Sequence, residues 1–326
     1  MDILAIRLGN MVESLGRLGL VDLAQAAAVE ALTCAEGADD LVGVLDSHAY
    51  LGWLAGLAGE TAAAEQHFTT ADQTSLTDRD KHLYSLNGVW WAQWLAQTGR
   101  PLSARDLIRR NVAICRENGW NDDAARCDQV LGGLALAAGD PVTARTHLTA
   151  AVTAFRDGDC LTDLAEALPS LAACAQATGD LDTAERHLAE AITIAAPRAL
   201  IPAQATVLAA RARLRAAHAT ATGNADALAQ GRDDADAAWR LAVRRHLPWH
   251  ELDALTAHAA LDEAEGTSHD WAAQAGQLHA QLAPPGLDPD PLATVERLVE
   301  AQKAAGDDAG DNDAGNPAAN PTPGLP

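Results

Sequence analysis

The stretch 131–152, LGGLALAAGDPVTARTHLTAAV, decides how this chain folds. Leu131-Gly132 opens it, Gly139-Asp140 punctuates it, and Ala144, Leu148 and Ala151 follow at spacings of four and three. Those spacings put side chains on one face of a helix. Gly139-Asp140-Pro141 ends one helix on a glycine and starts the next on a proline. The stretch reads as a helix, a tight turn and a second helix folding back.

The same pattern returns along the chain. Glycines stand at Gly19, Gly59, Gly99, Gly139 and Gly179, forty residues apart. Five residues after each comes Ala24, Ala64, Ala104, Ala144 or Ala184, and nine after comes Ala28, Phe68, Ile108, Leu148 or Leu188. Twelve after it stand Ala31, Ala71, Ala151 and Ala191, with Asn111 the one break. Ahead of the glycines lie Leu51-Gly52, Trp91-Ala92, Leu131-Gly132 and Leu171-Ala172, with Met11-Val12 a weaker first copy. A register held over five copies is a helical repeat array.

Leu-Gly, then Gly-Asp, then Ala-x3-large-x2-Ala resembles the tetratricopeptide repeat, closely over residues 5–200 and loosely over 200–283. The resemblance implies an all-α, right-handed superhelical solenoid of antiparallel helix pairs, about seven of them, that binds a protein or peptide. The usual period is about 34 residues, whereas here it is forty. The excess falls between each late alanine and the next Leu or Trp, as from Ala31 to Leu51, so the second helix, the next first helix or their junction is lengthened. Such long repeats resemble those at the C-terminal ends of bacterial STAND-type signalling ATPases and those of kinesin light chains. That likeness implies a sensor or scaffold part of a bacterial signalling system.

Composition narrows the function. The chain has 326 residues, 48% of them hydrophobic and only 4% aromatic. Alanine suits closely packed helices, and repeats stack on their neighbours, so one elongated domain is expected. A net charge of −22 argues against nucleic acid, whose phosphates require a Lys/Arg surface. Only Lys81 and Lys303 are lysines, a bias that suggests a high-GC bacterium. Cys34, Cys115, Cys127, Cys160 and Cys174 form no C-x-x-C pair and suit a reducing cytoplasm. No signal peptide is read at the N-terminus and no stretch as a membrane span.

Taken in order, residues 2–16 read as a first helix without a polar cap, as though cut from a longer protein whose missing N-terminal part packs there. Asp39-Asp40 and Thr77 or Asp78 are expected to cap the next two leading helices. After Pro197 the register slips, which an insertion of about eleven residues around 217–230 would explain. Residues 1–283 then form the repeat domain, 284–306 a C-terminal closing helix, and 307–326 a disordered acidic tail.

In tetratricopeptide arrays the leading helices line the concave face. Register analogy places Asp46, Trp53, Val89, Gln93, Arg126 and Gln129 there as partner-binding residues, with Ala49 and Gly133 beside them. Trp91 and Trp94 occupy core slots, and Trp90 a mixed one. Trp53 shares its slot with Gln93, Gly133 and Ala173, which makes it the best candidate anchor. A ligand enclosed by the superhelix near the tryptophans is an alternative. A metal-dependent enzyme built on His246, His250 and Glu251 is another, but Pro248 between the histidines argues against a shared helix face. No catalytic, phosphate-binding or cofactor motif occurs, so the expectation is a non-enzymatic protein with no cofactor.

Overall fold

The computed structural model describes residues 3–311, and every regular element among them is an α-helix. In order these are α1 (Ile3–Arg17), α2 (Val21–Gly37), α3 (Leu41–Ala58), α4 (Thr61–Arg79) and α5 (Ser85–Gln97). There follow α6 (Pro101–Glu117), α7 (Asn121–Ala137), α8 (Pro141–Asp157), α9 (Leu161–Ala177) and α10 (Leu181–Ala195). The last are α11 (Ile201–Thr222), α12 (Ala225–Arg244), α13 (Pro248–Glu265), α14 (Trp271–Leu282) and α15 (Pro291–Asp311). Consecutive helices pair into seven hairpins, with α15 left over. Each odd-numbered helix from α3 to α13 also packs on the next odd-numbered one or lies beside it. This is an all-α, tetratricopeptide-like solenoid.

The forty-residue period has a simple origin. From α6 to α9 every helix is 17 residues long and every turn is three, so one unit is 17 + 3 + 17 + 3 residues. Both turns of the unit are built alike. Gly139 takes φ 77° and lets the Asp140 N–H reach the Ala135 carbonyl at 2.9 Å; Asp159 takes φ 54° and lets the Cys160 N–H reach the Phe155 carbonyl at 2.8 Å. That bond closes a helix end on its own carbonyls. The glycine is visible in the sequence; the aspartate doing the same work half a unit later is less so.

Asp40 caps α3 as expected, its carboxylate accepting the Gly43 N–H. Thr77 and Asp78 do not cap a helix. Thr77 lies inside α4, its hydroxyl donating to the Gln73 carbonyl, and α4 ends only at Asp80, with φ 54°. The cause is Asp72, fully buried on α4, which accepts the Leu83 N–H at 2.6 Å and faces His82 Nδ1 at 2.7 Å. Those bonds hold residues 80–84 as a connection and delay α5 to Ser85. The slip after Pro197 is taken up by helix: α11 has 22 residues and α12 has 20, against 17 and 15 in α9 and α10.

The array does not run out as an elongated rod. The superhelix comes round until its ends meet, because the small turn between stacked units accumulates. Arg17, at the end of α1, pairs with Asp163 and Glu166 of α9, and the Thr61 hydroxyl donates to the Leu282 carbonyl at 2.6 Å. Leu247 and Ala242 share one apolar cluster with Val12, Val21 and Leu54. A Cβ added at Gly59 would lie 2.5 Å from Pro248, so the second hairpin touches the seventh backbone to side chain.

Two further expectations change. Helix α3 is apolar and long enough, at 18 residues, to cross a membrane by length and composition, although here it is packed between α2, α4 and α5. Helix α15 does not stack on α14. It returns to the outer side of α4 and α6, where Leu292, Val295 and Val299 join the core around Trp91. It also runs to Asp311, past the expected end at 306, and the rest of the expected tail lies outside the described residues.

Candidate functional site

Because the odd-numbered helices face inward and the ends meet, all seven of them, α1 to α13, contribute to one central cavity of about 670 Å³. That size lies within the roughly 300–1,000 Å³ of sites that enclose a small ligand. Its walls differ in chemistry. Helices α3 and α5 supply an aromatic wall, on which Trp53 stacks against Trp90 at 4.7 Å with 8° between the rings. Helices α5 and α7 add the amides of Gln93, Gln97 and Gln129. Helices α9 and α13 add Glu166, Ser170, Trp249, His250 and Asp253.

Of the sequence candidates, Trp53, Val89, Gln93, Arg126 and Gln129 all line this cavity. Asp46 does not. Its carboxylate accepts a hydrogen bond from Asn87 Nδ2 at 2.7 Å, tying α3 to α5, and burial pushes its pKa up against that bond. Val89 lines the wall while almost wholly buried. Trp53 is both core and wall. Its ring stands 2.4 Å from where a Cβ on Gly16 would be, so only glycine fits beneath it, while the ring remains half-buried on the cavity side.

Arg126 ties α7 to α9. Its Nε and Nη2 reach both oxygens of Asp163 at 2.9 Å, and its Nη1 reaches Asp123 at 2.7 Å. Arg17 uses its fork in the same way, on Glu13, Asp163 and Glu166 at 3.0 to 3.1 Å. Burial raises the Asp163 pKa, but the bonds from Arg126 and the charge of Arg17 outweigh it, and the net shift is downward. Glu166 is different. Burial dominates and raises its pKa, with Arg17 only partly offsetting this. Its side chain is still 36% accessible, because it faces the cavity while protein surrounds that cavity.

Several wall groups have no partner among the described residues. The side chains of Gln93, Gln97 and Gln129 make no hydrogen bond there. His250 Nδ1 is buried without a partner, and burial lowers the His250 pKa, which favours the neutral ring. Pro169 stands inside α9 and has no N–H to give the Ala165 carbonyl, and both residues line the cavity. A buried polar group left unpaired costs about 1–3 kcal/mol. Among these wall groups His250 Nδ1 meets that condition, while the Gln93 and Gln129 amides are half-buried and Gln97 is exposed, so the amides stand open to a guest.

His246 and His250 do not converge. His246 lies exposed in the turn before α13 with φ 53°, while His250 faces the cavity. No group of three or more His, Cys, Asp or Glu side chains among the described residues is placed to hold a metal.

Glu166 escapes a reading that stops at the fourth helix pair, yet it stands forty residues after Arg126 and so shares its register. Continuing the period would find it, and would find Pro169 from Gln129 and Thr206 from Glu166 as well. Trp249, His250 and Asp253 lie past the register slip, yet they too stand at multiples of forty residues from Gln129, Ser170 and Gln93.

No family model and no curated protein matches this chain. Among solved structures it is similar to the crystal structure of a Rap protein complexed with competence and sporulation factor. That likeness has a TM-score of 0.51 and 15% sequence identity, over 91% of this chain and 99% of the other. At that identity the likeness is one of fold: a helical repeat array of the same extent.

Proposed function

We propose that this chain is a binding protein that receives a short peptide inside its tetratricopeptide-like superhelix, and that it acts as the sensor part of a bacterial, cytoplasmic signalling system without catalysing a reaction. The observation that carries the reading is the central cavity, where seven leading helices bring unpaired amides against a tryptophan wall. A peptide backbone offers one donor and one acceptor per residue, and a primary amide offers both in return. Gln93, Gln97 and Gln129 on α5 and α7 therefore suit a backbone lying across them. The likeness to a Rap protein complexed with a factor supports the same use of the fold.

Occupancy would matter to the whole array, because the cavity wall and the ring closure share residues. Glu166 and Arg17 belong to both. A ligand that engages Glu166 changes the pairing available to Arg17, and so the contact between the first and fifth hairpins. The enclosure also favours a second reading, in which a small molecule takes the place of the peptide.

Gly133 gives the test. It lines the cavity, and a Cβ there would meet nothing within 4 Å, so Gly133→Trp should fill the space without disturbing the backbone. Pools of short peptides are titrated against the protein by intrinsic tryptophan fluorescence, with Trp53 and Trp90 as reporters. Saturable binding that Gly133→Trp abolishes, with thermal stability kept, is the expected result. Binding that survives the filled cavity would overturn the reading.

A further inference from the structure

The charges of the cavity do not balance, and the imbalance has a sign. Five charged side chains line it: Arg17 and Arg126 against Asp163, Glu166 and Asp253. Both arginines are spent. Each directs Nε, Nη1 and Nη2 at carboxylates within 3.1 Å. The nearby Arg100 is turned away as well, held by Glu65 and lying over the Trp94 ring at 4.4 Å. The carboxylates are not all spent. Asp163 is fully engaged, but Glu166 offers only Oε1 to Arg17 and keeps Oε2 free. The Asp253 carboxylate makes no ion pair or hydrogen bond among the described residues, and Arg213 reaches only its backbone carbonyl.

The uncharged groups lean the same way. The Ala165 carbonyl lacks its usual helical donor, because Pro169 has no N–H. His250 beside Asp253 is held neutral by its burial and so supplies no counter-charge. The remaining wall mixes aliphatic side chains such as Leu57, Leu86 and Leu134 with tryptophans, whose ring faces attract cations. A wall rich in unpaired acceptors and aromatic faces, with every guanidinium already paired, is complementary to a positively charged guest. An anionic guest would face the unpaired Asp253 carboxylate and the free oxygen of Glu166 in a confined space, where like charges cost several kcal/mol.

We infer that the ligand of this cavity is a short basic peptide, whose cationic groups are received by the Asp253 carboxylate and the free oxygen of Glu166 while its backbone lies on the glutamine amides. This rests on the reading of the cavity as a peptide site and adds the charge of the guest.

The experiment compares four probes on the full chain by fluorescence titration: tetrapeptide pools that are lysine-rich, norleucine-rich or glutamate-rich, and 1,5-diaminopentane as a free cation. The lysine-rich pool should bind and the glutamate-rich pool should not. Asp253→Asn and Glu166→Gln should each weaken the lysine-rich pool about tenfold or more, as for a lost hydrogen bond to a charged group. Asp253 takes no part in ring closure, so its variant stays informative if Glu166→Gln unfolds. Equal binding of the norleucine-rich and lysine-rich pools, or no loss in Asp253→Asn, overturns the basic peptide and leaves a peptide receptor standing. Binding of the diamine without any peptide overturns the peptide while keeping a cation site. Binding of nothing overturns both readings together.

Discussion

Two parts of the ring are held together by different means. Around α3 to α7 the core is aromatic and branched: Phe68, Trp90, Trp91, Trp94, Leu107 and Ile108 are all buried there. Around α11 to α13 it is nearly pure alanine, with Ala209, Ala212, Ala235, Ala238, Ala254 and Ala257 closing on Leu261. The helical hairpin is the same in both. The aromatic part gains its stability from large areas removed from water. The alanine part gains it from close approach, as at Gly231, where an added Cβ would sit 2.6 Å from Leu261. Close approach leaves little apolar area, and charge fills the gap: Asp234 is clasped by Arg211 and Arg215, and Asp262 by Arg232. One fold thus tolerates two kinds of core, and each is vulnerable to the opposite mutation.

The largest effect should come from emptying the aromatic core. Trp91 is fully buried, and Trp91→Ala should cost about 3–5 kcal/mol in chemical denaturation. A loss below about 1 kcal/mol would mean that its neighbours, not its own area, hold α5 in place. Filling the alanine core should come next. Ala238 is fully buried between helices, and Ala238→Leu should cost about 1–3 kcal/mol by overpacking. If the larger side chain is accepted without cost, the alanine seam is looser than its geometry implies.

The smallest effect is a difference in pH response between the two parts. His82, on the aromatic side, is buried between Asp72 of α4 and Glu296 of α15, with Arg110 of α6 near that glutamate. Burial and Arg110 lower its pKa, but the two carboxylates outweigh them and raise it. Its contribution is therefore full below the unfolded value of about 6.5 and is lost as pH rises through the folded value. His258, on the alanine side, lies against Trp271 with Asp236, Asp262 and Arg232 around it, and burial lowers its pKa. Its contribution is full above that same unfolded value and is lost as pH falls. Hydrogen exchange should show α15 loosening toward higher pH and the α13–α14 hairpin loosening toward lower pH. Parallel responses of the two would mean that neither histidine governs its region.

The sequence by itself determined the local design. The forty-residue glycine period places the turns, the Ala-x3-large-x2-Ala spacing places the buried faces, and the register from Trp53 to Gln93 and from Arg126 to Glu166 picks out the inner surface. These follow from helix geometry, which acts within a turn or two of the chain. It did not place the connection at 80–84, because the cause is a carboxylate, Asp72, bonding to a backbone amide eleven residues on. Nor did it determine that Arg126 is spent on Asp163, or that His250 and Asp253 face Glu166 across one cavity. The tertiary structure decided those. Each hairpin turns only slightly against the last, and no window of sequence contains the sum of seven such turns; that sum brings α1 to α9 and α13 to α3, and makes a row of helices into an enclosure.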